Sequence, residues 1–126
     1  MGRLGLLAVA ALLVSVPVAA APGDMSVATF LEKAEKLEKR GVAAMLSSNF
    51  NLLKREVEGA GNAYSARYKA DEAAGRQPHS CPPQGKLSLN SKDLMAHFRS
   101  YPAARRGSTT IKAAFADLMK KRYPCR

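Results

Sequence analysis

The side chains in this sequence with the most chemical potential are two cysteines and two histidines. Cys81 lies in the proline-rich segment QPHSCPPQGKLSLN, and Cys125 lies in KRYPCR at the end of the chain. Neither cysteine has the CxxC neighbour that is typical of redox motifs and of many zinc sites. We therefore expect neither a dithiol redox centre nor a zinc finger.

The histidines do not complete a recognisable catalytic or metal site. His79 precedes Cys81 in the tripeptide HSC, which could in principle form a Cys–His nucleophile pair, and His97 lies between Ala96 and Phe98. Neither histidine has a cysteine or carboxylate partner at the spacing of zinc ligands. The motifs GxSxG, HExxH and a glycine-rich phosphate loop do not occur in the sequence. We expect a protein with no enzymatic activity, no catalytic residue, no metal and no cofactor.

The first twenty or so residues have the pattern of a secretory signal peptide. Arg3 supplies a positive charge, Leu4 to Val16 is an apolar run, and Val18-Ala19-Ala20 places small residues where a signal peptidase reads them. A transmembrane anchor is the alternative, but the run is short for a bilayer span and Pro17 follows it. We predict a signal peptide at residues 1–20 and a single mature domain at 21–126, with no transmembrane segment after cleavage.

Export determines how the cysteines are interpreted. A chain in the periplasm, or secreted from the cell, meets an oxidising environment in which two cysteines pair with each other. Two cysteines allow one intramolecular connectivity, so we predict a structural disulfide between Cys81 and Cys125. Closing a loop of this size stabilises a fold by about 4 kcal/mol in the chain-entropy treatment.

The positive charge of the chain is concentrated in its C-terminal half. The formal net charge is +10; residues 24–72 carry eight basic and eight acidic side chains, whereas residues 73–126 carry eleven basic and two acidic ones. Arg105-Arg106 and the run at 120–122 could neutralise phosphates, but an exported protein rarely meets nucleic acid, so we expect no nucleic-acid partner. An acidic protein, anionic lipid or lipopolysaccharide are better targets, and charge that serves solubility is the alternative.

The elements that carry these residues are predicted to be helices. Apolar residues recur at helical spacing in four segments, and no alternating strand pattern of useful length appears. The predicted helices run from Ser26 to Gly41, from Ser48 or Asn49 to about Gly75, from Asn90 or Ser91 to Tyr101, and from a Ser108 or Thr109 cap to Pro124. Gly59 and Gly61 inside the second helix indicate a close helix–helix approach, and backbone exposed to a ligand is the alternative. We predict an all-α fold, a small irregular four-helix bundle stapled by one disulfide.

A set of motif residues surrounds the two cysteines and the last two helices: Cys81, Pro83, Gly85, Tyr101, Pro102, Tyr123, Pro124 and Cys125. Through these residues the C-terminal two thirds of the mature chain resembles the Rap/Tai family of periplasmic immunity proteins, which protect bacteria against type VI secretion amidase effectors. In that family a Gly–x–Tyr-like helix leads to a Cys-x-Pro-x-Gly loop, a helix ending in Tyr-Pro, and a last helix closing with Pro-Cys. Family members commonly carry another cysteine pair, which this chain lacks.

The resemblance implies a non-enzymatic, periplasmic protein that binds and neutralises a toxic effector of the peptidoglycan amidase class, as a monomer or a homodimer. Loop exposure and the charge asymmetry select the contact surface that we predict. This surface comprises Pro83, Gln84, Gly85 and Lys86 of the cysteine loop, together with Arg105 and Arg106. The alternative is a small periplasmic acid-stress chaperone, which has a similar helical outline with one disulfide, or an envelope-binding helical protein.

Overall fold

The computed structural model of the protein describes residues 20–85 and 87–126. The predicted signal peptide up to residue 19, and Lys86 of the predicted contact surface, lie outside these ranges. The helices are α1 (Val27–Glu38), a 3₁₀ helix (Gly41–Leu46), α2 (Ser48–Ala73), α3 (Ser91–Ser100), α4 (Ala103–Arg106) and α5 (Ile111–Arg122). Within the described ranges no strand forms, so the predicted all-α class is confirmed.

Side-chain caps explain where the main helices begin. Ser26 accepts a hydrogen bond from the N–H of Thr29 at the start of α1, and Ser47 accepts one from Phe50 at the start of α2. Asn90 and Asp93 form a reciprocal capping box at the start of α3. These three starts agree with the predicted helices to within a residue.

The start of α5 differs from the prediction. Its N-cap is Thr110, whose side chain accepts from the N–H of Ala113. The expected caps, Ser108 and Thr109, instead donate their hydroxyl groups to the carbonyl of Arg105, at 3.2 and 2.8 Å. These hydroxyls therefore close the short helix α4, and α5 begins at a later residue as a result.

The core joins α1, α2, α3 and α5. Four large side chains are fully or almost fully withdrawn from solvent: Val27 of α1, Phe98 of α3, and Ile111 and Met119 of α5. The ring of Phe98 packs edge-on against that of Phe30, with 5.2 Å between ring centroids. Burial of such side chains stabilises a fold by about 1.5–3 kcal/mol each.

The two glycines of α2 do not both mark a helix–helix contact. At Gly59 an added Cβ would stand 2.4 Å from the carbonyl oxygen of Pro22, so the close approach is made by the N-terminal segment and the prediction was wrong there. A Cβ added at Gly61 would lie 4.0 Å from the Phe115 ring of α5, which is an ordinary van der Waals distance.

The predicted disulfide between Cys81 and Cys125 is present, with Cα atoms 4.9 Å apart. Beside it the N–H of Cys81 donates to the carbonyl of Tyr123 at 2.8 Å, and the neighbouring Ser80 is completely buried. The covalent link and the hydrogen bond together fix the loop that follows α2 to the C-terminal end of α5.

Among the described residues, no helix combines the length and the apolar character needed to cross a bilayer.

Candidate functional site

The loop that carries the predicted contact residues is exposed. Pro83, Gln84 and Gly85 all face solvent, immediately after the disulfide that anchors the loop. Gly85 has a φ of 101°, a conformation that side chains other than glycine's rarely adopt. On the far side of the loop, Arg122 of α5 donates to the carbonyl of Ser88 at 3.3 Å. Pro83, Gln84 and Gly85 are therefore exposed between two attachments near the C-terminal end of α5.

The predicted arginine pair lies elsewhere. Arg105 and Arg106 end α4, just before the N-terminal end of α5, whereas the loop is attached at the C-terminal end of α5. A helix of 12 residues is about 18 Å long. The structure therefore does not bring the arginines and the loop into one compact patch, because the length of α5 separates them.

The two arginines also differ in their own contacts. Arg106 donates to the carbonyls of Tyr101 and Arg99, at 2.9 and 2.8 Å, and so closes the C-terminal end of α3. Arg105 is exposed, with its guanidinium 6.0 Å from the centroid of the Tyr101 ring. Arg105 can reach a partner, while Arg106 has a structural role of its own. The predicted contact surface remains a prediction.

An apolar groove of about 530 Å³ opens between α1, α2 and α3. Its walls include Leu37 of α1, Phe50 and Val57 of α2, and Leu94 and Met95 of α3. The sequence did not predict this groove. Helix spacing reveals that a residue belongs to an apolar stripe, but not how completely the neighbouring helix covers that stripe.

The 3₁₀ helix that connects α1 to α2 carries further exposed apolar surface. Val42, Met45 and Leu46 are 85%, 61% and 92% exposed, and they are the large hydrophobic side chains that stand out in solvent in the described part of the chain. A single exposed leucine would be ordinary, but three within five consecutive residues form a cluster. We call Val42, Met45 and Leu46 the apolar knob. In the sequence, the run VAAML at residues 42–46 contains no polar side chain and could have indicated this cluster.

His97 belongs to a hydrogen-bonded chain that joins α3 to α5. The hydroxyl of Tyr101 donates to Asp117 at 2.6 Å, and the Nε2 atom of His97 lies 3.2 Å from the same hydroxyl. Burial, followed by the hydrogen bond to Asp117, raises the pKa of Tyr101 well above its ordinary value. The phenol therefore stays protonated, and the chain acts as a structural tie rather than as a source of a nucleophile.

His79 lies in a small pocket beside α2. Tyr64, Tyr68, Arg67 and Asp71 line this pocket, and the hydroxyl of Tyr64 is hydrogen-bonded to Ser80. The Nδ1 atom of His79 is buried and has no hydrogen-bond partner among the described residues. Desolvation, followed by the charges of Arg67 and Lys120, lowers the pKa of His79. The imidazole is therefore held in its neutral form near the disulfide.

Within the described residues, no group of histidine, cysteine and carboxylate side chains is placed to hold a metal ion. Among the described residues, the exposed loop, Arg105, the groove and the apolar knob are the features that we consider for contact with another molecule.

Comparison with known proteins adds no assignment. No family model matches the chain, and neither a curated protein nor a solved structure is significantly similar to it. The resemblance to the Rap/Tai family therefore rests on the motif residues of the sequence.

Proposed function

We propose that this chain is a non-enzymatic, immunity-type protein of the periplasm, which binds a toxic effector of the peptidoglycan amidase class and neutralises it. The observation that carries the proposal is the exposed apolar surface formed by the groove and the apolar knob. Large exposed apolar surface marks sites where proteins bind other proteins. The motif residues around the disulfide supply the effector class, through the resemblance described above.

The groove offers the anatomy of a protein interface. Its floor contains the aromatic ring of Phe50 and the flexible side chain of Met95, and its rim carries Glu38, Lys54 and Glu58. Aromatic and methionine side chains are enriched where protein partners bury surface, and a charged rim surrounds them. The rim contains both signs of charge, so it suits a partner segment that is amphipathic rather than uniformly charged.

The exposed loop is close in sequence to one wall of the groove. Leu89, which lines the groove, follows the Pro83–Gly85 tip by only a few residues. A partner that covers the groove can therefore also contact the loop tip that the disulfide holds in place. Because the disulfide reduces the freedom of the loop before binding, less conformational entropy is lost on association.

The proposal is tested by protection from an amidase. The genes beside this one are searched for a peptidoglycan amidase, and the amidase so found is directed to the periplasm of a bacterial host, alone or together with the full chain. We expect the full chain to prevent lysis, and a chain without residues 1–20 to fail because it does not reach the periplasm. The purified mature chain should also inhibit peptidoglycan cleavage by the same amidase. Lysis and cleavage that are unchanged in its presence would rule out the immunity function.

A second candidate is favoured by a different observation. The pKa of His79 and that of His97 are both lowered mainly by desolvation, so acid conditions oppose the folded state. An acid-stress chaperone would use such a response to expose more apolar surface. In that case the mature chain should suppress aggregation of an unrelated acid-sensitive protein below about pH 5, and do so less well at neutral pH. Aggregation that proceeds equally with and without the chain would exclude this candidate.

A further inference from the structure

The residues immediately after the predicted signal peptide form an ordered and heavily bonded segment. Ala21 to Asp24 make a β-turn in which the N–H of Asp24 donates to the carbonyl of Ala21 at 3.0 Å. Pro22 occupies the second position, and Gly23, with a φ of 101°, occupies the third. This is the residue pattern of a type II turn, which needs a positive φ at its third position.

The turn is attached to two helices. On the side of α2, the carboxylate of Glu56 accepts from the N–H of Gly23 at 2.7 Å and from the N–H of Met25 at 3.1 Å. On the side of α5, the N–H of Lys112 donates to the carbonyl of Gly23 at 2.8 Å. Gly23 and the carboxylate of Glu56 are buried. The segment that follows the leader is therefore part of the folded domain rather than a loose terminus.

The carboxylate of Asp24, the last residue of this turn, lies beside the backbone nitrogen of Ala21, its first residue. Its Oδ2 atom accepts from the backbone nitrogen of Ala21 at 2.9 Å, and its Oδ1 atom accepts from the Nζ of Lys112 at 2.8 Å. These two hydrogen bonds, that of Lys112 first, hold the pKa of Asp24 below its ordinary value. Ala20 and Ala21 are both exposed, so the fold leaves room for a charged group at the nitrogen of Ala21.

We infer that a leader peptidase cuts the chain between Ala20 and Ala21, and that the α-ammonium group so created forms an ion pair with Asp24. Water adds across the peptide bond, leaving a carboxylate on Ala20 and an ammonium on Ala21. The amide N–H that donates to the Asp24 carboxylate thereby becomes an ammonium donor, so the attraction between opposite charges is added to the existing hydrogen bond. The inference depends on the signal peptide assignment but not on the identity of any partner.

The turn also argues against a cut one residue later. Cleavage after Ala21 would remove the carbonyl that accepts from Asp24 and the nitrogen that donates to its side chain. It would also leave Pro22 as the first residue. Cleavage after Ala20 preserves both hydrogen bonds and strengthens one of them.

The first measurement is the mass and N-terminal sequence of the protein exported by a bacterial host. We expect the chain to begin at Ala21. A chain that begins at Pro22, or one that keeps the leader, would overturn the inference.

The second measurement is the pKa of the α-ammonium group, followed by NMR in the purified chain that begins at Ala21. A free α-amino group titrates at about 7.7–8.0. Pairing with Asp24 should raise this pKa by about 0.5–1 unit, and the shift should shrink in high salt. The shift should disappear in the Asp24→Asn variant. It should persist in Glu32→Gln, which removes an exposed carboxylate from α1.

A chain that begins at Ala20 provides the second control, because it folds without any substitution while its ammonium group is displaced by one residue. We expect its α-amino pKa to lie closer to the free value. An α-amino pKa that is the same in all of these chains would show that no ion pair forms.

Discussion

At the scale of single residues, the N-terminal segment depends on two contacts with α2. Glu56 is a buried carboxylate that satisfies two backbone N–H groups of this segment, and Gly59 gives Pro22 room to lie against the helix. Buried carboxylates are rare unless they are hydrogen-bonded, and the two donors provide that compensation here. Position 59 requires a glycine because any side chain there would occupy space already taken by Pro22.

Substitution of Gly59 by alanine should therefore destabilise the protein. The added Cβ would stand 2.4 Å from the Pro22 carbonyl oxygen, and overpacking of this kind costs about 1–3 kcal/mol. Gly61→Ala is the matched control in the same helix, because its Cβ meets Phe115 at 4.0 Å and alanine favours the helix by up to about 1 kcal/mol. Urea unfolding of both variants measures the difference. Equal stabilities would show that Pro22 does not pack on α2.

At the scale of elements, the 3₁₀ helix and α5 differ in how many of their apolar side chains are buried in the core. The 3₁₀ helix presents the apolar knob to solvent and buries only Ala44, whereas α5 buries five of its residues. The apolar residues of the 3₁₀ helix therefore contribute little to folding, which leaves them available for contact with a partner.

Substitution of Leu46 by serine separates these two roles. Because the side chain of Leu46 is 92% exposed, we expect the free energy of unfolding to change by less than about 0.5 kcal/mol. We expect inhibition of the amidase to weaken, since the variant loses apolar contact area. Lys36→Ser, on the exposed face of α1, is the control and should leave inhibition unchanged. If Leu46→Ser inhibits as well as the parent chain, the apolar knob is not part of the interface.

At the scale of the whole molecule, the disulfide and the two histidines determine how the fold responds to its surroundings. The disulfide joins positions 44 residues apart and ties the loop after α2 to the end of the chain. The histidines lie at two separate contacts, one beside α2 and one between α3 and α5. The stability of the molecule should therefore depend on both redox state and pH.

Replacement of both Cys81 and Cys125 by serine tests the first dependence. In the chain-entropy treatment, loss of a cross-link over this separation lowers the free energy of unfolding by about 4 kcal/mol. The shift of the urea midpoint measures the loss, and the parent chain treated with a reducing agent should show the same shift. A midpoint that moves by less than a tenth of the parent value would show that the helices do not need the cross-link.

The pH dependence follows from the direction of the two histidine shifts. Both histidines have an ordinary pKa of 6.5, and in the folded protein both are lowered, mainly by desolvation. As pH falls through about 6.5, the unfolded chain binds protons before the folded protein does, so stability is present above this pH and decreases below it. Urea midpoints between about pH 7.5 and pH 5 should fall in the parent chain. The decline should be smaller when His79 and His97 are replaced by asparagine, and an equal decline would assign the effect to other groups.

The sequence by itself determined the helical class, the starts of α1, α2 and α3, and the disulfide pairing. Helix periodicity and caps are local signals, because they depend on residues three or four positions apart. The pairing of Cys81 with Cys125 followed from the count of cysteines together with the prediction of an oxidising compartment.

Only the tertiary structure decided which surfaces lie together. It separated Arg105 and Arg106 from the loop of Pro83 to Gly85, because α5 stands between them. It also placed Pro22 against Gly59 and left the groove and the apolar knob uncovered. These features depend on how elements distant in sequence pack against one another, and neither periodicity nor capping contains that information.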